Sequence, residues 1–275
     1  MSELIVRDLS VRYGDLQILD RVSFTAPPGG WLMIIGPNGA GKSTIINAVS
    51  RSIPSGGTVL IDGKSLSAYR SRELARKIGV LAQNHYVGYD FTVEEVVGLG
   101  RYAYHSGLSA AGRSEADEAI TEAALEKTGL TRYRHQSVKN LSGGELQRTF
   151  LAQLFAQDPD ILLLDEPSNH LDPVYQKQIF AIVREWLSQG HRTVVSAMHD
   201  LSLARAFGTH GLLLRSGHVI AAGPIEEVCT PAALADVYGM DVSAWMRQIH
   251  GCWFQKPDAD RNFPDGKISV GRWRP

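Results

Sequence analysis

Nine consecutive residues, Gly36-Pro37-Asn38-Gly39-Ala40-Gly41-Lys42-Ser43-Thr44, combine three glycines, a lysine and two hydroxyls. They fit the pattern G-x-x-x-x-G-K-[ST] in full. Glycines let a backbone curl until several N–H groups point inward at phosphate oxygens. Lys42 supplies a compact charge for the β- and γ-phosphates, and Ser43 a hydroxyl for Mg²⁺. A helix opening after Gly41 adds the positive end of its dipole. This is chemistry for holding a nucleoside triphosphate.

A second group follows an unbroken apolar run, Ile161-Leu-Leu-Leu164, as Asp165-Glu166-Pro167. Such a run, with no polar alternation, suits a parallel strand covered on both faces. Carboxylates at the carboxyl end of that strand lie where α/β sheets bind ligands. Asp165 suits a Mg²⁺ role through water, and Glu166 can orient and deprotonate an attacking water. The structural alternative is that both carboxylates only open the next helix. A third group is Leu141-Ser142-Gly143-Gly144-Glu145. Ser142 and Glu145 make a capping box. Gly143 and Gly144 weaken a first turn, so the pair is expected where another backbone or a ligand approaches closely.

The elements that position these groups follow from pattern. Strands are expected at residues 3–13, 22–25, 31–35, 58–61, 78–82, 161–164 and 193–197. Helices are expected at 42–49, 71–77, 114–127, 145–156, 174–188 and 201–207, with a further helical stretch over 231–250. A hairpin pairs residues 212–215 with 218–222 across Ser216-Gly217. From about residue 84 to 158 there is little strand signal, which reads as a helical insertion. Alternating strands and helices elsewhere point to an α/β core with a mostly parallel sheet. The last stretch, after about residue 255, is polar, carries Pro and Gly, and shows no period.

Composition bounds the rest. The chain has 275 residues, 44% hydrophobic and 21% charged, with a net charge of -1, which suits a real core and disfavours a nucleic-acid protein with a broad basic surface. Cys229 and Cys252 lack metal-site spacing and read as free thiols. The first residues, MSELIVRDLS, do not read as a secretory signal, and no run reaches the ~18 apolar residues of a membrane span. Membrane work is therefore expected from outside, through a partner.

Over residues 3–245 the chain resembles the ATP-binding subunits of ABC transporters. Gly36–Thr44 looks like Walker A, Ile161–Pro167 like Walker B with its catalytic glutamate, and Leu141–Glu145 like the signature. Ser168–Asp172 is similar to the D-loop. Gln83 fits the Q-loop glutamine, His199 the switch histidine and Tyr13 the aromatic that stacks on adenine. The resemblance implies a P-loop NTPase of the ABC type, with a mostly parallel core sheet, an antiparallel β subdomain and a helical subdomain at about 84–158. Residues 246–275 are left as a tail. It implies ATP and Mg²⁺ as ligands, with Ser43, Gln83 and Asp165 toward the metal and Lys42, Glu166 and His199 acting on the γ-phosphate.

It also implies a head-to-tail dimer. Ser142, Gly143 and Gly144 of one copy would meet the ATP held by the other, with Asp172 at the seam. Two transmembrane permease subunits, and indirectly a substrate-binding protein, complete the assembly at the cytoplasmic face of the inner membrane. About a hundred residues separate Thr44 from Leu141, too few for the long coiled coil of a chromosome or repair ATPase. There is one such domain, not the two usual in ribosome-acting factors. Phe91–Tyr102, Ser168–Asp172 and His199–Leu201 are similar to the motors importing iron-siderophore, haem or cobalamin. Glu145-Leu-Gln147 departs slightly from the commoner Glu-Arg-Gln or Glu-Gln-Gln.

Overall fold

A computed structural model describes residues 2–83, 88, 90–105, 114–169 and 171–254, with the side chains of 252–254 excepted. Its amino-terminal third holds strands β1 (Leu4–Tyr13), β2 (Leu16–Ala26) and β3 (Trp31–Ile35), helix α1 (Lys42–Val49), strands β4 (Gly56–Ile61) and β5 (Lys64–Ser65), helix α2 (Ser71–Lys77) and strand β6 (Ile78–Leu81). The middle is helical: α3 (Val93–Gly98), α4 (Glu115–Lys127) and α5 (Gly143–Gln157). Then come β7 (Ile161–Asp165), α6 (Pro173–Ser188), β8 (Thr193–Met198), α7 (Leu201–Phe207), β9 (His210–Arg215) and β10 (His218–Pro224). Helices α8 (Ile225–Val228), α9 (Pro231–Tyr238) and α10 (Val242–Phe254) follow.

Six strands form the central sheet in the order β10-β9-β3-β8-β7-β6, parallel except for the β9–β10 hairpin. Four more form an antiparallel sheet in the order β2-β1-β4-β5. Alternation along β3 divides the interior. Trp31, Met33 and Ile35 face a core shared with α3, α5 and α6, while Leu32 and Ile34 face a core shared with α1 and the antiparallel sheet. β7 divides likewise, Leu162 and Leu164 against Ile161 and Leu163. A strand with two buried faces needs apolar residues at every position, which is why its sequence lacks alternation. Trp31 stacks on Phe180 of α6 at 5.4 Å, fixing that helix against the sheet.

Several expectations about elements change. The helical stretch at 231–250 is two helices. Gly239 takes the left-handed conformation that stops α9 (φ +68°), and Asp241 Oδ1 accepts from the Ala244 N–H at 2.8 Å to start the next. That second helix also runs past residue 245, where the tail was expected to begin. β2 starts at Leu16 rather than Val22, pairing with β1 along its length. The helix expected from Glu145 begins at Gly143, with Ser142 as its cap. Between α2–β6 and β7, the pairing outside named strands is an isolated bridge, Thr92 with Ser137, among the described residues.

Candidate functional site

The chain leaves the buried end of β3 directly into the glycine loop. Gly36 takes φ +157°, and a Cβ there would stand 2.4 Å from the Leu214 carbonyl oxygen. Gly41 takes φ +100°, and its Cβ would stand 2.5 Å from Leu19 Cδ2. The backbone angle favours glycine at both positions, and at Gly36 the Leu214 carbonyl leaves no room for a side chain. α1 begins at once, with the Ile45 N–H donating to Gly41 O at 3.0 Å. Lys42 turns back over the loop, its Nζ donating to Gly36 O at 2.8 Å and Pro37 O at 3.0 Å. It is buried, and burial lowers its pKa against the opposing pull of Glu166 and Asp165.

Ser43 Oγ donates to Asp165 Oδ1 at 2.9 Å, joining the first turn of α1 to the end of β7. Asp165 is also buried, and burial holds its carboxyl above the ordinary aspartate range. Glu166 follows with φ +49°, a conformation that costs a non-glycine residue about 1 kcal/mol or more. Its N–H is tied to Ala197 O of β8 at 3.0 Å. That turn aims the carboxylate away from the strand. Its Oε2 receives Gln83 Nε2 at 3.0 Å and Asn169 Nδ2 at 3.1 Å, and lies 3.6 Å from His199 Nδ1.

Lys42, Ser43, Gln83, Glu166, Asn169 and His199 line one cavity of about 650 Å³ that also includes Asn38, Gly39, Gly41, Thr44 and Ile18; Asp165, bonded to Ser43, does not line it. Amide, imidazole and carboxylate thus meet beside the phosphate-type loop. The arrangement can hold a triphosphate and place a base against a water attacking its last phosphorus. Ser43 and Asp165 present oxygen donors, the set that Mg²⁺ prefers, and Gln83 lines the same cavity as Ser43. No group of three or more His, Cys, Asp or Glu able to hold a metal occurs among the described residues. A cation here would draw its remaining ligands from phosphate and water.

The structure does not bring every expected residue to this cavity. Tyr13 ends β1 with 54% of its surface exposed and does not line it; Ile18 of β2 does. Gly36, Pro37 and Ala40 shape the loop without lining the cavity. Ser142, Gly143, Gly144 and Asp172 lie outside it. Ser142 Oγ donates to Glu145 Oε2 at 2.8 Å, and the Glu145 N–H returns to Ser142 Oγ at 3.4 Å, so the capping box forms. Asp172 Oδ1 accepts from the N–H groups of Val174 and Tyr175 at 2.9 and 3.0 Å, capping α6.

Gly144 corrects an expectation. The close neighbour that excludes a side chain there is the Tyr175 ring of the same chain, 2.8 Å from where a Cβ would sit. Of the pair, Gly143 faces open space. Asn169 was not anticipated. It follows Glu166 by three residues on one turn, its N–H donating to Glu166 O at 3.1 Å, so a polar residue at that offset was the available signal. Nothing in the sequence pointed to Ile18. His170, in the D-loop-like run, lies outside the described residues, as do residues 255–275 with Trp273; the side chains of Cys252 and Trp253 are likewise outside them.

Residues 19–169 match the profile of the family described as ABC transporter. The chain is 38% identical over 245 residues to the ferric enterobactin transport ATP-binding protein of Escherichia coli, covering 87% of this chain and 90% of that one. It is 40% identical over 245 residues to the hemin import ATP-binding protein of Pseudomonas entomophila, covering 87% and 93%. Among solved structures, a nucleotide-free ATP-binding cassette from an ABC transporter superposes with a TM-score of 0.75 at 24% identity, over 87% of this chain and 96% of the other, a likeness of fold.

Proposed function

This chain belongs to the ABC transporter family, and we propose that it is the ATP-hydrolysing motor of an importer for an iron chelate, a ferric siderophore or haem. It binds nucleotide and hydrolyses ATP, as subunits of this family do. The single observation that carries the reading is the convergence of Gln83, Asn169 and His199 on Glu166, beside Lys42, Ser43 and Asp165. The relatives named above supply the class of cargo. Permease subunits are its membrane partners, and a second copy of the chain is its dimer mate. No helix among the described residues is long and apolar enough to cross a membrane. Attachment at the cytoplasmic face through the permease accommodates that.

In the proposed mechanism, Lys42 and the loop N–H groups hold the phosphates, and Ser43, Asp165 and Gln83 are the residues that would hold Mg²⁺. The metal, when bound, neutralises phosphate charge. Glu166 accepts the proton of the attacking water, and His199 donates to the γ-phosphate as charge develops. The amides of Gln83 and Asn169 fix the rotamer of Glu166. Ser142, Gly143 and Gly144 of a second copy close the open side, and Asp172 lies at the seam. Tyr13, exposed at a strand end, is the adenine platform.

Glu166→Gln is expected to bind ATP normally, lose at least about a hundredfold in turnover and accumulate as an ATP-bound dimer. Lys42→Ala is expected to lose nucleotide binding. Turnover and sedimentation of the two proteins read both outcomes; wild-type hydrolysis by either contradicts the roles assigned. Uptake of labelled ferric siderophore or haem by the reconstituted complex tests the cargo, and absence of both sinks that part.

A further inference from the structure

Gly144 is buried, and the atoms that exclude a side chain there are Cγ and Cδ2 of Tyr175, both 2.8 Å from the Cβ position. These atoms are the stem of the ring rather than a mobile end. Tyr175 is itself held from two directions. Its N–H donates to Asp172 Oδ1 at 3.0 Å. Arg148 of α5 lies over its ring, 5.1 Å from the centroid. Arg148 is buried and anchored by Nη1 to Thr128 O at 3.0 Å.

The same two helices are bolted to the turn that carries the glutamate. Gln147 Nε2 of α5 donates to Pro167 O at 3.3 Å, and Gln176 Nε2 of α6 donates to Ser168 O at 3.3 Å. Gly143, by contrast, has nothing within 4 Å of its Cβ position. The segment thus has a supported inner residue and an open outer one.

We propose that Tyr175 is a positioning residue for the composite site. Its ring props the Gly143–Gly144 backbone at the height where a second copy's bound triphosphate meets it. It also ties that height to the Glu166 turn of its own chain. Two segments serving two different ATP molecules then move as one block. The proposal rests on the head-to-tail reading above. It assigns the support to the ring, not the hydroxyl.

The test uses the Glu166→Gln protein with ATP and Mg²⁺, reading the dimer dissociation constant by sedimentation. Adding Tyr175→Ala is expected to weaken the dimer on the order of tenfold. Affinity for a fluorescent ATP analogue at monomeric dilution stays unchanged. Tyr175→Phe is expected to restore parental dimerisation. If Tyr175→Ala costs ATP affinity as well, Tyr175→Leu carries the same comparison with more of the volume kept. A Tyr175→Ala or Tyr175→Leu dimer as tight as the parent overturns the proposal, and so does a Phe variant as impaired as Ala. If the Glu166→Gln parent itself fails to dimerise, the head-to-tail reading falls, and the proposal with it.

Discussion

Asp165 is 5% exposed, and burial raises its pKa despite the Ser43 hydrogen bond. A carboxyl whose folded pKa exceeds its unfolded value ionises later in the native state. Between the two values the native state binds more protons, so stability falls as pH rises from the ordinary aspartate range through the folded pKa. Asp165→Asn keeps an oxygen for Ser43 and removes that penalty. The nucleotide-free variant is expected to melt higher than the wild type at pH 7. It should lose the stability decline with rising pH while ATP hydrolysis collapses. Calorimetry without nucleotide, repeated across pH, checks the sign; a destabilised variant would show that the neighbouring Lys42 charge needs this carboxylate more than burial opposes it. At this scale the sequence was most legible where one residue's chemistry suffices. Lys42, Ser43, Asp165 and Glu166 announce themselves by type and spacing. Asn169 and Ile18 do not, because their place depends on how a turn and a distant strand fold. Tyr175 was invisible for the same reason: a tyrosine in a helix says nothing of the glycine it will press against.

Helix α6 shows one residue serving two levels of structure. Asp172 Oδ1 caps its first turn through Val174 and Tyr175, and the proposed dimer places the same side chain at a seam. Conservative change separates the two. Asparagine caps about as well as aspartate, whereas alanine loses about 1 kcal/mol. Asp172→Asn is therefore expected to keep the wild-type melting temperature and to lower turnover, and Asp172→Ala to lower both. Wild-type turnover in the asparagine variant would leave capping as the whole role. Capping chemistry also explains what was readable among elements. Ser114 at α4, Ser142 at α5 and Asp172 at α6 each accept from the turn they begin, so these helix starts are written in local sequence. The break between α9 and α10 was written too, in Gly239 and Asp241, but apolar periodicity across it suggests one continuous helix. The first half of the long β2, Leu16–Arg21, gives no strand signal because it does not alternate buried with exposed residues, whereas Val22–Ala26 does.

The described residues form two cores on the faces of one mostly parallel sheet, with the side chains proposed for catalysis gathered where β3, β7 and β8 end. That architecture was legible because buried strands, glycine loop and carboxylate pair all demand it together. Which helix faces meet was not, since it depends on the three-dimensional packing of α5 and α6. The cavity at the strand ends is walled by one copy's loop, Gln83, Asn169 and His199, while Ser142–Gly144 stand elsewhere. The composite site proposed above gives hydrolysis a reaction order. For the isolated subunit, turnover per mole is expected to climb almost linearly with protein concentration while dilute, then level off. Inside the permease complex two copies are tethered at an effective concentration on the order of millimolar, and turnover per subunit should ignore dilution. A hundredfold dilution series run on both preparations distinguishes them, and constant specific activity from the free subunit would contradict the shared site. The membrane partner, on this view, does for the motor what concentration does in the test tube.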